Sequence, residues 1–265
     1  MIINKAYVDI SAGQIHYRVV AGSGIPLVFL HRTPASSVTF EQMMIGMAGD
    51  RPIYALDTPG FGGSFDPAGS PSVTDYRDWL IEAIDGLNIE AFHLFGHHTG
   101  THLATEIAAK LADRTRSLML NGVAYLTADE RKQFHEMVAD SVPPDPDGRY
   151  LIETWQVIRG LFAEFDPELV HREFVGAMRA MQGRDQAFAA IWNQDYPAVM
   201  AKVICPMFVM SAEDDFFVPY LERVKEAHPE TRIAVLGPAK VASPELGTDE
   251  SVKVVREFLA DVESA

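Results

Sequence analysis

A histidine flanked by glycines is the feature of this sequence that points most directly to chemistry. Gly96-His97-His98-Thr99-Gly100 follows an apolar run over 91–95 and precedes a helical run over 101–111. Glycine at both ends lets a strand turn sharply into a helix and raises the central side chain above the helix N-terminus. This is the spacing of a nucleophile elbow, but its central residue is His98 rather than serine, cysteine or aspartate. Because histidine titrates near neutral pH, we predict that His98 is a general base or a nucleophile; the alternative is an inactive elbow filled by a packing residue.

The composition limits the partners that the chain can have. The 265 residues are 48% hydrophobic and carry a net charge of −15, which gives no overall attraction for nucleic acid or for an anionic membrane surface. No run is long enough to span a membrane, and the first residues lack a signal-peptide pattern. Because Cys205 is the single cysteine, the chain has no internal disulfide, which suits a reducing compartment. We expect Cys205 to be a small buried hydrophobic residue. We therefore expect a cytoplasmic protein with a small-molecule substrate; its oligomeric state is open, and a homodimer is one possibility.

Short apolar runs alternate with helical patterns in the first half of the chain. The expected strands cover 7–10, 14–20, 26–30, 53–56, 91–95 and 117–120, and the expected helices cover 40–47, 75–87 and 101–111. Wholly apolar runs are typical of strands that are covered on both faces. The alternation predicts an α/β fold with a mostly parallel sheet and helices on both faces.

The alternation is interrupted once. Between about 127 and 199 the sequence predicts helices and no strand, and strands return at 203–210 and 232–236 before a last helix over 251–262. We interpret this as a core formed by residues 1–124 and 200–265, with a helical cap over residues 125–199 inserted before the last strands.

Four segments in order resemble those of a known family. They are His31-Arg32-Thr33-Pro34, which stands where the family has H-G-x-P; Asp57-Thr58-Pro59-Gly60-Phe61-Gly62-Gly63-Ser64, which matches D-x-P-G-F-G-x-S; the elbow; and Ala212-Glu213-Asp214-Asp215-Phe216-Phe217-Val218-Pro219, which is similar to G-x-x-D-x-x-V-P. With them the chain resembles the α/β-hydrolase fold superfamily over its whole length. The pattern is nearest to the branch of haloalkane dehalogenases, epoxide hydrolases and carbon–carbon hydrolases.

The resemblance implies a catalytic set that this chain departs from. The superfamily runs nucleophile, acid and histidine along the chain, with the histidine just after the last strand. Residues 236–245 contain no histidine, and Lys240 or Val241 stands at the expected place. The acid is retained as Asp215, with Asp214 as the alternative register. Asp215 could pair with Lys240, approach His98 through water, or be a remnant.

The resemblance also implies groups that contact the substrate. The backbone N–H groups of Thr33 and Thr99 are expected to form an oxyanion hole. Arg32 replaces the glycine of H-G, and its charge suits a substrate carboxylate, unless its side chain points to solvent or pairs with a surface acid.

Other side chains are assigned to substrate binding or to structure. Tyr125 is a candidate donor to the substrate, and Trp155 and Trp192 are candidates to line an apolar cleft beneath the cap, although aromatic residues at helical spacing pack first of all. His31, His97 and Asp57 are expected to be structural. His98 and His102 lie four residues apart, but the absence of a third ligand argues against a metal.

The sequence therefore predicts an enzyme without a cofactor that hydrolyses a small apolar carbonyl compound, such as an ester, a lactone or a diketone. A general-base role for His98 is preferred to an acyl-histidine, because no second histidine stands ready to resolve that intermediate. Two alternatives stay open: a lyase, decarboxylase or isomerase in which His98 transfers a proton, and a ligand-binding protein without activity.

Overall fold

One eight-stranded sheet forms the centre of the molecule. The computed structural model describes residues 2–138, 140–162 and 166–264. The strands are β1 (Asn4–Ile10), β2 (Gly13–Val20), β3 (Leu27–Leu30), β4 (Ile53–Leu56), β5 (Phe92–His97), β6 (Thr115–Asn121), β7 (Met207–Ala212) and β8 (Arg232–Leu236). Their order is β1-β2-β4-β3-β5-β6-β7-β8, and β3 to β8 run parallel while β1 and β2 pair antiparallel. This confirms the predicted α/β fold.

Helices cover both faces of the sheet. They are α1 (Glu41–Gly46), α2 (Val73–Gly86), α3 (Thr99–Lys110), α4 (Ala128–Met137), α5 (Arg149–Gly160), α6 (Pro167–Arg179), α7 (Met181–Trp192), α8 (Tyr196–Met200), α9 (Leu221–Ala227), α10 (Ser243–Leu246) and α11 (Thr248–Ser264). None of the described helices is long and apolar enough to cross a membrane.

Alternating side chains of the central strands pack into two separate hydrophobic cores, one on each face of the sheet. Val28 and Leu94 belong to the core that includes α2 and α3, whereas their neighbours Phe29 and Phe95 belong to the core that includes α1 and α11. All four side chains are fully buried. Successive side chains of a strand point to opposite faces, so a wholly apolar strand is what a sheet covered on both sides requires.

The segment between β6 and β7 contains helices α4 to α8, and its described residues contain no strand. Helix α4 begins with the expected capping box, in which Thr127 and Glu130 satisfy each other's backbone N–H groups. Helix α7 packs against α2 and α3, and α8 packs against α3. The segment lies where the cap was predicted, and its boundaries at 125 and 199 stay a prediction.

Candidate active site

The elbow forms as its glycines require. His98 lies between β5 and α3 with φ of +47° and ψ of −112°, a conformation that is strained for a residue with a side chain. A Cβ at Gly96 would lie 2.5 Å from the carbonyl oxygen of Gly100, and one at Gly100 would lie 2.2 Å from that of Leu30. Both positions therefore exclude side chains, and the strain at His98 is maintained by the packing around it.

His98 forms a hydrogen bond directly with Asp215. Its Nε2 atom lies 2.7 Å from Oδ2 of Asp215, and the two side chains are 10% and 1% exposed. The other carboxylate oxygen accepts the N–H of Phe217 at 2.8 Å. An ionised carboxylate only accepts, so it selects the tautomer in which Nε2 carries the proton and Nδ1 has the free lone pair. Nδ1 has no hydrogen-bond partner among the described residues.

Gly122 makes room for this contact. It follows β6 with φ of +73°, and a Cβ there would lie 2.5 Å from Nε2, 2.6 Å from Cδ2 and 3.0 Å from Cε1 of His98. The imidazole therefore packs closely against Gly122, in the space that a side chain would fill, and contacts Asp215 from there. Gly122 was not predicted from the sequence, although a glycine directly after a buried strand is a signal of close approach.

The register of the acidic segment follows from the partners of its two aspartates. Asp214 accepts the N–H groups of Ala239 and Lys240 at 2.9 and 2.7 Å, and so holds the loop after β8. Asp215 pairs with His98 instead of Lys240. The sequence left open that Asp215 pairs with Lys240 or approaches His98 through water. In the structure Asp215 contacts His98 directly and does not pair with Lys240.

One of the two expected oxyanion donors is already engaged. The N–H of Thr33 donates to the hydroxyl of Thr99 at 2.7 Å, and that hydroxyl donates to Oγ1 of Thr33 at 3.0 Å. Thr99 is the first residue of α3, so its own N–H has no acceptor within the helix. A substrate oxygen could reach both N–H groups only after the Thr99 side chain rotates.

A small pocket adjoins these threonines between the core loops and α7. Its lining residues are Thr33, Thr58, Tyr76, Thr99, Leu103, Ala187 and Ile191, none of which is charged. The three predicted substrate-binding aromatics do not line it. Tyr125 packs against Tyr196 and His228, Trp155 against Phe174, and Trp192 against Phe134 and Phe188.

Arg32 is surrounded neither by a substrate site nor by solvent or a surface acid, the two alternatives that the sequence left open. Arg32 is 2% exposed, and its guanidinium pairs at 2.5 Å with Glu173 of α6, a carboxylate that is itself buried. Arg172 bridges Glu173 and Glu245 at 2.8 Å each, and Glu245 also accepts the hydroxyl of Thr39. We call these four charged residues the buried ion cluster. Arg32 does not line the pocket, and its charge is compensated by α6 rather than by solvent or by a surface acid.

The two acids of the cluster have pKa values that are shifted in opposite directions by burial and by the neighbouring charges. Burial and the negative charge of Glu173 raise the pKa of Glu245 to about 7. Burial alone would also raise the pKa of Glu173, but Arg32 and Arg172 reverse this effect and lower it. Glu173 is therefore the ionised partner, and Glu245 gains its proton near neutral pH.

The remaining histidines near the elbow have structural surroundings. Nδ1 of His31 donates to the carbonyl of Arg32, and its Nε2 accepts the N–H of Thr58, so it joins two loops as predicted. His97 is fully buried, and burial lowers its pKa well below the usual value. His102 bonds Gln194 at 2.6 Å, and burial lowers its pKa to about 4. In the part of the chain that the structure describes, no group of three or more His, Cys, Asp or Glu side chains could hold a metal ion.

These features define the class of protein. The sequence model of the alpha/beta hydrolase family matches residues 27–243, and the chain belongs to that family. It is 27% identical over 200 residues to (E)-2-((N-methylformamido)methylene)succinate hydrolase of Acinetobacter baylyi, which covers 73% of this chain and 74% of that protein.

Solved structures share the fold. The crystal structure of E-2-(acetamidomethylene)succinate hydrolase aligns with a TM-score of 0.80 and 18% identity, over 98% of this chain and all of that one. The enol-lactonase from Burkholderia xenovorans LB400 aligns with a TM-score of 0.74 and 20% identity, over 96% of this chain and all of that one. At such identities the likeness concerns the fold, and the chemistry has to be argued from the site.

Proposed function

We propose that this protein is a hydrolase of a small, mostly apolar carbonyl compound, and that the His98–Asp215 pair is its general base. The observation that carries the proposal is the 2.7 Å contact between Nε2 of His98 and Oδ2 of Asp215. A buried carboxylate orients an imidazole and stabilises the cation that forms when the imidazole takes a proton. The hydrolases to which the chain is similar support the reaction class.

In the proposed reaction the base acts on water, because the elbow offers no serine or cysteine. Nδ1 of His98 takes a proton from a water molecule, whose oxygen forms a bond with the carbonyl carbon. The negative charge on the carbonyl oxygen is met by the N–H of Thr99 and, once the Thr99 hydroxyl has rotated, by that of Thr33. When the intermediate collapses, the bond to the leaving group breaks and the leaving group receives the proton from the imidazolium. The products are an acid and an alcohol, or the corresponding enol.

The test is hydrolysis of a series of short-chain p-nitrophenyl esters between pH 5 and pH 9 by the wild type and by His98→Ala. We expect the wild type to hydrolyse these esters and the variant to lose this activity. His171→Ala, which removes an exposed histidine of α6, is the matched control and should retain the activity. Equal rates for wild type and His98→Ala, at the level of free imidazole, would refute the role of His98.

A second function is favoured by one specific observation. The N–H of Thr33 is occupied by the Thr99 hydroxyl, so the oxyanion hole is incomplete as it stands, whereas proton transfer by the His98–Asp215 pair needs no complete hole. A lyase, decarboxylase or isomerase would use the pair in this way. Reaction in ¹⁸O-labelled water separates the two functions, because only hydrolysis incorporates the label into the product.

A further inference from the structure

Two residues that line the small pocket have buried hydroxyl groups without a hydrogen-bond partner. They are Oγ1 of Thr58 and the phenolic oxygen of Tyr76, and among the described residues neither meets a donor or an acceptor. Thr58 is 3% exposed and Tyr76 is 1% exposed. Both line the same pocket as the two oxyanion threonines.

Buried hydroxyls without a protein partner are unfavourable for the fold itself. Phenylalanine at 76 and valine at 58 would keep nearly the same shape without leaving a polar atom unsatisfied. Both residues are also held in place: the Tyr76 ring packs edge-on against Trp79, and the N–H of Thr58 donates to His31. Burial raises the pKa of Tyr76, so its hydroxyl stays a hydrogen-bond donor. Positioned donors beside a pocket are suited to binding a ligand that reaches them.

The rest of the pocket indicates the charge of that ligand. Its other walls are formed by Leu103, Ala187 and Ile191, and no lining residue carries a charge. The nearby cation of Arg32 is compensated by Glu173. A carboxylate brought into this pocket would lose its hydration without gaining a counter-ion, whereas a neutral oxygen needs only a donor.

We propose that Thr58 and Tyr76 form a subsite that binds a second, uncharged oxygen of the substrate beside the carbonyl group at Thr33 and Thr99. The substrate class is therefore a neutral compound with two oxygen functions, such as an oxo-ester or a diketone. This assignment rests on the proposed function for the position of the reacting carbonyl. It sets the chain apart from its relatives that are named for substituted succinates, which are dicarboxylates.

The kinetic test compares ethyl 3-oxobutanoate with ethyl butanoate, which differ in one oxygen, and follows the release of acid. We expect the wild type to prefer the oxo-ester in kcat/KM, and Tyr76→Phe or Thr58→Val to reduce that preference by about 3- to 10-fold each. Tyr7→Phe removes the hydroxyl of an exposed tyrosine and should leave the preference unchanged. Thermal unfolding should show Tyr76→Phe to be no less stable than the wild type.

Equilibrium binding separates the subsite from the reaction. Calorimetry on the His98→Ala variant would compare heptane-2,4-dione, heptan-2-one and 4-oxopentanoate as ligands. Preference for the diketone that disappears in Thr58→Val/Tyr76→Phe supports the subsite even if no ester is turned over, in which case only the proposed function fails. The subsite is overturned if the preference survives the double substitution, if no preference exists, or if the charged 4-oxopentanoate binds best.

Discussion

Nε2 of His98 and Oδ2 of Asp215 lie 2.7 Å apart, although 117 positions separate the two residues in the chain. In the arrangement that the superfamily implies, an acid at this place meets a histidine that follows β8. Here it meets the imidazole of the elbow itself. The superfamily has three residues for the roles of nucleophile, base and acid; here two residues are in contact, and in the proposed function the elbow residue is the base.

Replacing Asp215 by asparagine tests whether its charge assists His98. The amide would keep the shape of the side chain but lose a charge-assisted hydrogen bond, so we expect kcat/KM to fall by about tenfold or more. Asp214→Asn is the matched control: it alters the acceptor for the Ala239 and Lys240 N–H groups, and kcat/KM should stay close to that of the wild type. A value of kcat/KM that is unchanged in Asp215→Asn would contradict the proposed pair.

Thr99→Val tests the state of the oxyanion hole. Valine preserves the branched shape but removes the hydroxyl that occupies the N–H of Thr33. Because substrate then no longer competes with that hydroxyl, we expect KM to fall by about 2- to 10-fold, the equivalent of one ordinary hydrogen bond. Steady-state kinetics with a short ester would measure this change. A large decrease in kcat would instead mean that the hydroxyl itself contributes to the transition state.

Gly122→Ala tests the position of the imidazole. The added methyl group would overlap three ring atoms of His98, so the contact with Asp215 should lengthen and activity should fall by about tenfold or more. Alanine at a positive φ is also strained, typically by about 1 kcal/mol or more. Gly69→Ala carries the same strain at φ of +67° with no atom within 4 Å of the new Cβ. Equal losses of activity in the two variants would show that strain, rather than displacement of His98, is the cause.

In the buried ion cluster, a single substitution should lower the free energy of unfolding more than a double substitution that removes both partners of an ion pair. Arg32→Met leaves the carboxylate of Glu173 buried with Arg172 alone, and we expect a loss of about 3 kcal/mol or more in the free energy of unfolding. Combining it with Glu173→Met removes the uncompensated charge and should restore much of that loss. Urea denaturation measures both values. Additive losses in the double variant would argue against an energetic coupling of the pair.

Glu245 predicts a pH dependence of stability with a defined sign. Its pKa is about 7 in the folded protein, above the ordinary value of 4.5. Between these two values the folded state holds a proton that the unfolded state has released, so stability falls as pH rises from about 4.5 to about 7, by at most about 1.4 kcal/mol per pH unit. Glu245→Gln should remove this contribution. Denaturation of wild type and variant across this pH range gives the difference in their free energies of unfolding. This difference contains the contribution of Glu245 and cancels that of histidines such as His102. A difference independent of pH would contradict the assignment.

Local patterns were sufficient to predict much of the fold and the position of the elbow. The wholly apolar β3 is central because only buried strands tolerate such composition. Gly96 and Gly100 are required by contacts within a few residues of the turn or with the adjacent strand. Asp215 was identified from its own segment. These features depend on neighbours in sequence or on the periodicity of one element.

The partners of the site residues could not be predicted in this way. Glu173 is 141 positions from Arg32, and nothing around either residue indicates that a helix of the inserted segment covers the loop after β3. The Thr33–Thr99 contact and the role of Gly122 likewise depend on how separate strand ends meet at one edge of the sheet. Such contacts follow from the topology rather than from any local pattern.

The close contact between His98 and Gly122 limits what a single substitution could do at this site. A change of His98 to serine would introduce a hydroxyl nucleophile but would also open a void against Gly122 and leave no base beside it. The loop after β8, where a base would have to arise, is held by Asp214 and passes through Lys240 at φ of +44°. Neither change alone would supply both a serine nucleophile and a base, so a Ser-His-Asp arrangement would require at least two substitutions together.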